Sequence, residues 1–152
     1  MHIEIQREKQ KLDDLFKKAS ELDDDEMKSH WSKYLCVLVS GFLENSLRTM
    51  LFHYTSSKSH PNVANYVSKQ IKSITNLKQQ KVKQLLGSFN KDWQDLFEKS
   101  ISGEQKDAVD SVVANRHQIV HGVSVGITYS RVSEYYRHIK DVVKIIHDKC
   151  IS

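Results

Sequence analysis

From about Glu26 to Ser56 the chain carries Trp31, Tyr34, Leu35, Leu38, Phe42, Leu47, Met50, Leu51 and Tyr54, apolar residues three and four apart with no proline among them. That period belongs to an α-helix. A helix this long and this apolar cannot face water on its own. It must sit at the centre of other helices that cover it. The rest of the chain is written in the same period, with one proline and five glycines in 152 residues and no useful stretch of strand-like alternation.

The flanking helices follow from their apolar spacing and their punctuation. Ile5, Leu12, Leu15, Phe16 and Ala19 mark a first helix between Ile3 and Leu22. The run Asp23 to Glu26 offers an N-cap and favourable first-turn charge to the long helix. "TSSKSHPN" breaks the pattern, and Pro61 suits the first turn of a new helix. Short helices are expected over Pro61 to Ile74 and Leu77 to Phe89, then one within "NKDWQDLFEKS" with Trp93, Leu96 and Phe97 inward. A further helix runs from Ser102 to His121 on Val109, Val112, Val113, Ile119 and Val120, with Gly122 as its closing glycine. After the loop "VSVGIT", Thr128 or Ser130 caps a last helix on Val132, Tyr135, Ile139, Val142, Val143 and Ile146. The expectation is one all-α domain over 1–152, an antiparallel helical bundle of four main helices plus short additional ones.

Cys36 and Cys150 lie in apolar helical patterns with no partner at metal-ligand spacing, which reads as two reduced thiols. The first residues are charged from Glu4 onward, unlike a secretory signal. No stretch approaches 18 uninterrupted apolar residues, so no membrane span and a cytoplasmic location are expected.

The net charge of +4 is unevenly placed. Between Asn45 and Lys91 there is no Asp or Glu, and the segment carries +8 against −4 for the remainder. Such a block attracts polyanions through its summed field, and it is equally the mark of a solvated lysine face. Lys69, Lys72, Lys78, Lys81 and Lys83 are its candidate polyanion-binding members.

"VVANRHQIVHG" raises a different question. Arg116, His117 and His121 stand where leucine or alanine would fold as well, at the end of a helix. A helix terminus presents side chains to a ligand, and its dipole favours a protonated imidazole there, while a neighbouring arginine opposes it. Histidine is the side chain suited to proton transfer near neutral pH. The R-x-x-x-x-H spacing is weak alone, because Arg48 and His53 repeat it inside the long helix. There the ordinary reading is a surface arginine and an edge histidine. Arg116 and His121 lie about 140° apart around a helix, so they converge only if the arginine wraps or a second copy faces the first. His117 and His121 share a face and could hold zinc, but no third ligand accompanies them.

Taken with the helix order, "RHQIVHG" and the last helix "ITYSRVSEYYRHIKDVVKII" resemble the HEPN superfamily, in its RiboL-PSP-HEPN branch. "LVSGFLENSLRTML" is similar to that family's long central helix, with Glu44 at its acidic position. The resemblance implies a bundle that dimerises with the motif helices facing, and metal-independent endoribonuclease activity of the toxin–antitoxin or anti-phage kind, with a possible cognate antitoxin. It implies catalytic roles for Arg116, His121 and His117 and supporting ones for Glu44 and Asn115, without metal or cofactor. His117 stands where asparagine is commoner. The alternative is a non-catalytic HEPN-like module that binds RNA, nucleotide or a partner protein. From the residues alone, Glu44 and Arg48 are an i, i+4 pair and a candidate surface salt bridge.

Overall fold

The computed structural model describes residues 1–151 and contains only helices and connections. The helices are α1 (Ile3–Ser20), α2 (Asp25–Lys58), α3 (Pro61–Lys72), α4 (Gln79–Phe89), α5 (Lys91–Ser100), α6 (Gly103–Val120) and α7 (Tyr129–Ile145), and a π-turn over Ile146–Cys150 closes the chain. The expected all-α bundle is therefore present, with α1, α2, α6 and α7 as its long members.

Caps fix where the elements begin. The Asp24 carboxylate accepts from the Met27 N–H at the start of α2. Pro61 opens α3. Ser102 and Gln105 form a reciprocal capping box at α6, and Thr128, not Ser130, caps α7. Each arrangement satisfies backbone donors that a helix start leaves without partners.

α2 is the hub and packs against α1, α6 and α7. Three contacts set its direction relative to α7: the Lys28 ammonium lies 5.0 Å over the Tyr129 ring, the Phe42 and Tyr136 rings meet edge-on at 6.2 Å, and His2 touches both His53 and His147. The numbers rise together, so α2 and α7 run the same way. α1 and α6 run against them, as short connections between helices dictate. Leu35, Phe42, Leu43, Leu47 and Leu51 of α2 are fully buried, and the core is continuous from Ile5 to Cys150. This burial explains why α2 has an 18-residue window of mean hydropathy 1.3: 56% of that window lies inside the fold.

Several apolar positions fall on the other side of the expectation. Tyr34, Leu96 and Val120 are exposed. In each case the helix stripe is wider than the neighbour that covers it. α3 ends earlier than periodicity suggests, at Lys72 rather than Ile74, and α4 begins later, at Gln79 rather than Leu77. Leu77 is buried all the same, as an anchor of the connection. Asn76 adopts a left-handed φ of 55° there, a conformation asparagine tolerates better than most residues.

Two tyrosines clasp α7 onto α1. The Tyr129 hydroxyl donates to the Phe16 carbonyl at 2.9 Å, and the Tyr136 hydroxyl donates to the Asp13 carboxylate at 2.6 Å. Burial pushes the Asp13 carboxyl up, but the bonds from Tyr136 and Lys9 and the charge of Lys140 outweigh it, and the net shift is downward. Burial and then Asp13 raise the Tyr136 hydroxyl well above the usual tyrosine range. A carboxyl held below its unfolded value stabilises the fold above that value and loses the contribution as pH falls through its folded one. Asp13→Asn is therefore expected to cost about 2 kcal/mol at neutral pH. The gap should close as pH drops below the ordinary aspartate value of 3.8, read by urea unfolding at a series of pH values. A gap that stays constant with pH would contradict the assignment.

Both cysteines are free and buried. Burial pushes the Cys36 thiol up to about 12 and Cys150 to about 11, so neither is a ready nucleophile.

Candidate nucleic-acid site at the end of α6

The last two turns of α6 carry Asn115, Arg116, His117 and His121. The helix closes in a Schellman motif: the Gly122 N–H donates to the Ile119 carbonyl at 3.1 Å and the Val123 N–H to the Gln118 carbonyl at 2.9 Å. Gly122 supplies the left-handed turn at φ 73°, which a side chain would strain. His121 is the capping residue itself, and its own N–H bonds the His117 carbonyl at 3.2 Å. The backbone beneath the two histidines is thus fully tied.

Their side chains are not. His117 and His121 are exposed, and their rings lie 4.4 Å apart at 57°. Arg116 is half-buried. None of the three side chains makes a hydrogen bond or ion pair among the described residues. Asn115 differs, since its amide donates to the Ser111 carbonyl at 2.8 Å and stays on its own helix. The protein has thus placed a guanidinium and two imidazoles on one rigid helix end without using them internally.

The connection between α3 and α4 lies beside His117 but not beside Arg116 or His121, and only Lys78 of it is named by the sequence pattern. A groove of about 370 Å³ beside α6 is lined by Asn76, Lys78, Val113, Ala114, His117 and Gln118. Three anchors hold the connection there: buried Leu77, the Asp110 carboxylate accepting from the Gln79 N–H at 2.8 Å, and the Arg48 guanidinium, which reaches the Lys72 and Ile74 carbonyls at 3.5 and 3.4 Å. A carboxylate at the start of α4 also complements its dipole. Periodicity could not reveal Asn76 or Gln118 as groove residues, because neither belongs to a core stripe.

The remaining candidates separate. Lys69 and Lys72 on α3 and Lys78 on the connection are exposed. Lys81 donates to the Thr75 carbonyl at 2.5 Å. Lys83 is paired with Glu98 at 3.4 Å, beside Lys106, so its charge is partly compensated within the fold. Glu44 is half-buried and no hydrogen bond or ion pair joins it to Arg116 or His121 among the described residues. It forms no salt bridge with Arg48 either, because the guanidinium turns to the carbonyls at the end of α3. Cys36 of α2 and Val112 of α6 touch, the thiol 3.8 Å from the carbonyl. With these helices antiparallel, Glu44 and Arg116 lie on opposite sides of that contact. Arg48 is half-buried rather than on the surface, and His53 is bonded to Glu4 at 3.2 Å. Among the described residues no group of three or more His, Cys, Asp or Glu side chains gathers at metal-holding distance, which leaves the His117–His121 pair without a third ligand.

The family model for RiboL-PSP-HEPN matches residues 3–152. This chain belongs to the RiboL-PSP-HEPN family. No curated protein and no solved structure matches it. In this RiboL-PSP-HEPN protein the motif residues Arg116, His117 and His121 stand on the helix end just described, with the Lys78 groove alongside.

Proposed function

We propose that this protein is a metal-independent endoribonuclease that cleaves RNA through its own 2′-hydroxyl, acting as a toxin or anti-phage effector subject to a neutralising protein partner. The observation that carries the chemistry is that one helix end bears Arg116, His117 and His121, the two imidazoles in ring contact and none of the three in a hydrogen bond or ion pair among the described residues. In the reaction the 2′-oxygen attacks the adjacent phosphorus and loses its proton. The bond from phosphorus to the 5′-oxygen breaks, and that oxygen gains a proton. The products are a 2′,3′-cyclic phosphate and a 5′-hydroxyl. His121 is assigned a proton transfer. His117, in ring contact with it, orients the site or carries the second transfer. Arg116 binds the phosphate oxygens and offsets their growing charge. Lys78, Lys72 and Lys69 hold the RNA backbone in a salt-dependent manner. The test is cleavage of a labelled RNA by the purified protein in excess EDTA. Cyclic-phosphate ends support the reading, and loss of all cleavage on chelation overturns metal independence.

A homodimer with facing α6 ends is part of the proposal. Arg116 and His121 point about 140° apart on one helix, so two copies face to face bring the arginine of one toward the histidine of the other. Val120 and Val123, at 56% and 52% exposure, flank His121 with apolar surface that such a contact would cover. Val123→Asp would bury a carboxylate there and is expected to weaken dimerisation by about 2 kcal/mol or more. Analytical ultracentrifugation of wild type and variant reads the change. A monomeric wild type ends the dimer reading.

A further inference from the structure

The second R-x-x-x-x-H pair, Arg48 and His53, lies in a groove of its own. It opens between α2 and α3, with a volume of about 300 Å³, and it also takes in Thr49, Phe52, Ser68 and Lys72. From these residues we infer that the groove is a nucleotide-binding site, with a phosphate ester held by Arg48 and Lys72 and a base laid against Phe52.

The charge state of the groove points to an anion. Arg48 has five donors, yet its bonds among the described residues are two long ones, at 3.5 and 3.4 Å, to the carbonyls of Lys72 and Ile74. Its Nε is buried with no partner. With Nε enclosed, the terminal N–H groups of the guanidinium, held only by long bonds, are the donors left for a ligand oxygen. Lys72 stands on the rim, exposed and with no ion pair among the described residues. One carboxylate, Glu4, also lines the groove, but it is bonded to the His53 imidazole at 3.2 Å. Against that one carboxylate stand two cations, Arg48 and Lys72, so the groove keeps a net positive charge. The hydroxyls of Thr49 and Ser68 add neutral donors suited to phosphate oxygens.

The apolar half of the ligand is suggested by Phe52. A phenyl ring at 47% exposure, met edge-on by His53 at 5.8 Å, leaves aromatic surface open to solvent, and bases stack on such surfaces without regard to sequence. Cations with an exposed aromatic ring in one groove fit a nucleotide better than inorganic phosphate. The connection from Lys72 to Lys78 leads directly from this groove to the one beside His117, so the phosphate ester is most economically that of RNA lying along both. A free mononucleotide offers the same chemistry.

The test uses the full-length protein with adenosine 5′-monophosphate, inorganic phosphate and a short labelled RNA. It measures binding rather than cleavage, so it stands or falls apart from the nuclease reading. Amide shifts at Thr49, Phe52, His53 and Ser68 on adding adenosine 5′-monophosphate are expected in nitrogen-15 spectra. Lys72→Glu should weaken that binding by about ten-fold, and Phe52→Ala by about five-fold. Both positions are exposed, so folding is not at issue. Inorganic phosphate should bind more weakly than the nucleotide. The same losses with RNA would identify the polymer as the source of the ester, and losses confined to the mononucleotide would identify the free nucleotide. No shifts in this groove with either ligand would overturn the inference. So would a control variant on the exposed α1 face, Lys18→Glu, that weakens binding as much as Lys72→Glu.

Discussion

Arg116→Ala and His121→Ala are each expected to lower RNA cleavage by about 10²–10⁴-fold, the range for removing a positioned proton-transfer group or a charge-stabilising donor. Wild-type protein, both variants and His117→Ala would be compared in EDTA on one labelled RNA. None of the three side chains makes a hydrogen bond or ion pair among the described residues, and the two histidines are exposed. The stability of each variant should therefore stay within about 0.5 kcal/mol of wild type. A loss of activity can then be read as a loss of chemistry. His117→Ala separates two roles. An effect as large as that of His121→Ala assigns it a proton transfer, and a smaller one assigns it to orientation. RNA binding, followed by anisotropy, should persist in His121→Ala, because the lysines proposed to hold the backbone are intact. Equal cleavage by all four proteins would mean that a contaminant does the work and would remove the assignment. Retained binding without cleavage by wild type would favour the non-catalytic module.

The helix count, the capping run Asp23 to Glu26 and the glycine at the end of α6 were all legible in the sequence, because each is a local rule with a residue type attached. What escaped depends on neighbours. Val120 sits on the apolar stripe of α6, but no helix covers the last turn in the monomer. Leu96 fails for the same reason on α5. The site divides in the same way. Arg116, His117 and His121 can be picked out by spacing and by their place at a helix end. Asn76 cannot, since it contributes through a left-handed turn in a connection with no period. Arg48 is the instructive case: the i, i+4 rule offers Glu44 as its partner, and the fold presents it with the carbonyls of Lys72 and Ile74 instead. A long-range contact displaced a local one, and helical spacing carries no information about it.

Phe42→Ala is expected to cost about 3–5 kcal/mol, the range for deleting a fully buried phenyl ring. Its side chain is completely buried and meets Tyr136 edge-on, while Tyr136 in turn stacks on Phe16 at 4.6 Å. One ring thus joins α2, α7 and α1, and the loss would include an aromatic contact as well as buried area. Domains of this size have only about 5–15 kcal/mol of net stability, so the variant should melt well below wild type in a thermal scan and unfold at lower urea. The consequence for activity follows from position. Phe42 touches neither the α6 groove nor the α2/α3 groove, so at a temperature where the variant is still folded its cleavage rate should be close to that of wild type. At the melting point of the variant the rate should vanish in step with the folded fraction. A variant that stays fully folded by circular dichroism yet cuts RNA poorly would show that α1 and α7 transmit more to the end of α6 than packing alone provides. The frame set by α2 would then be part of the catalytic geometry rather than its support.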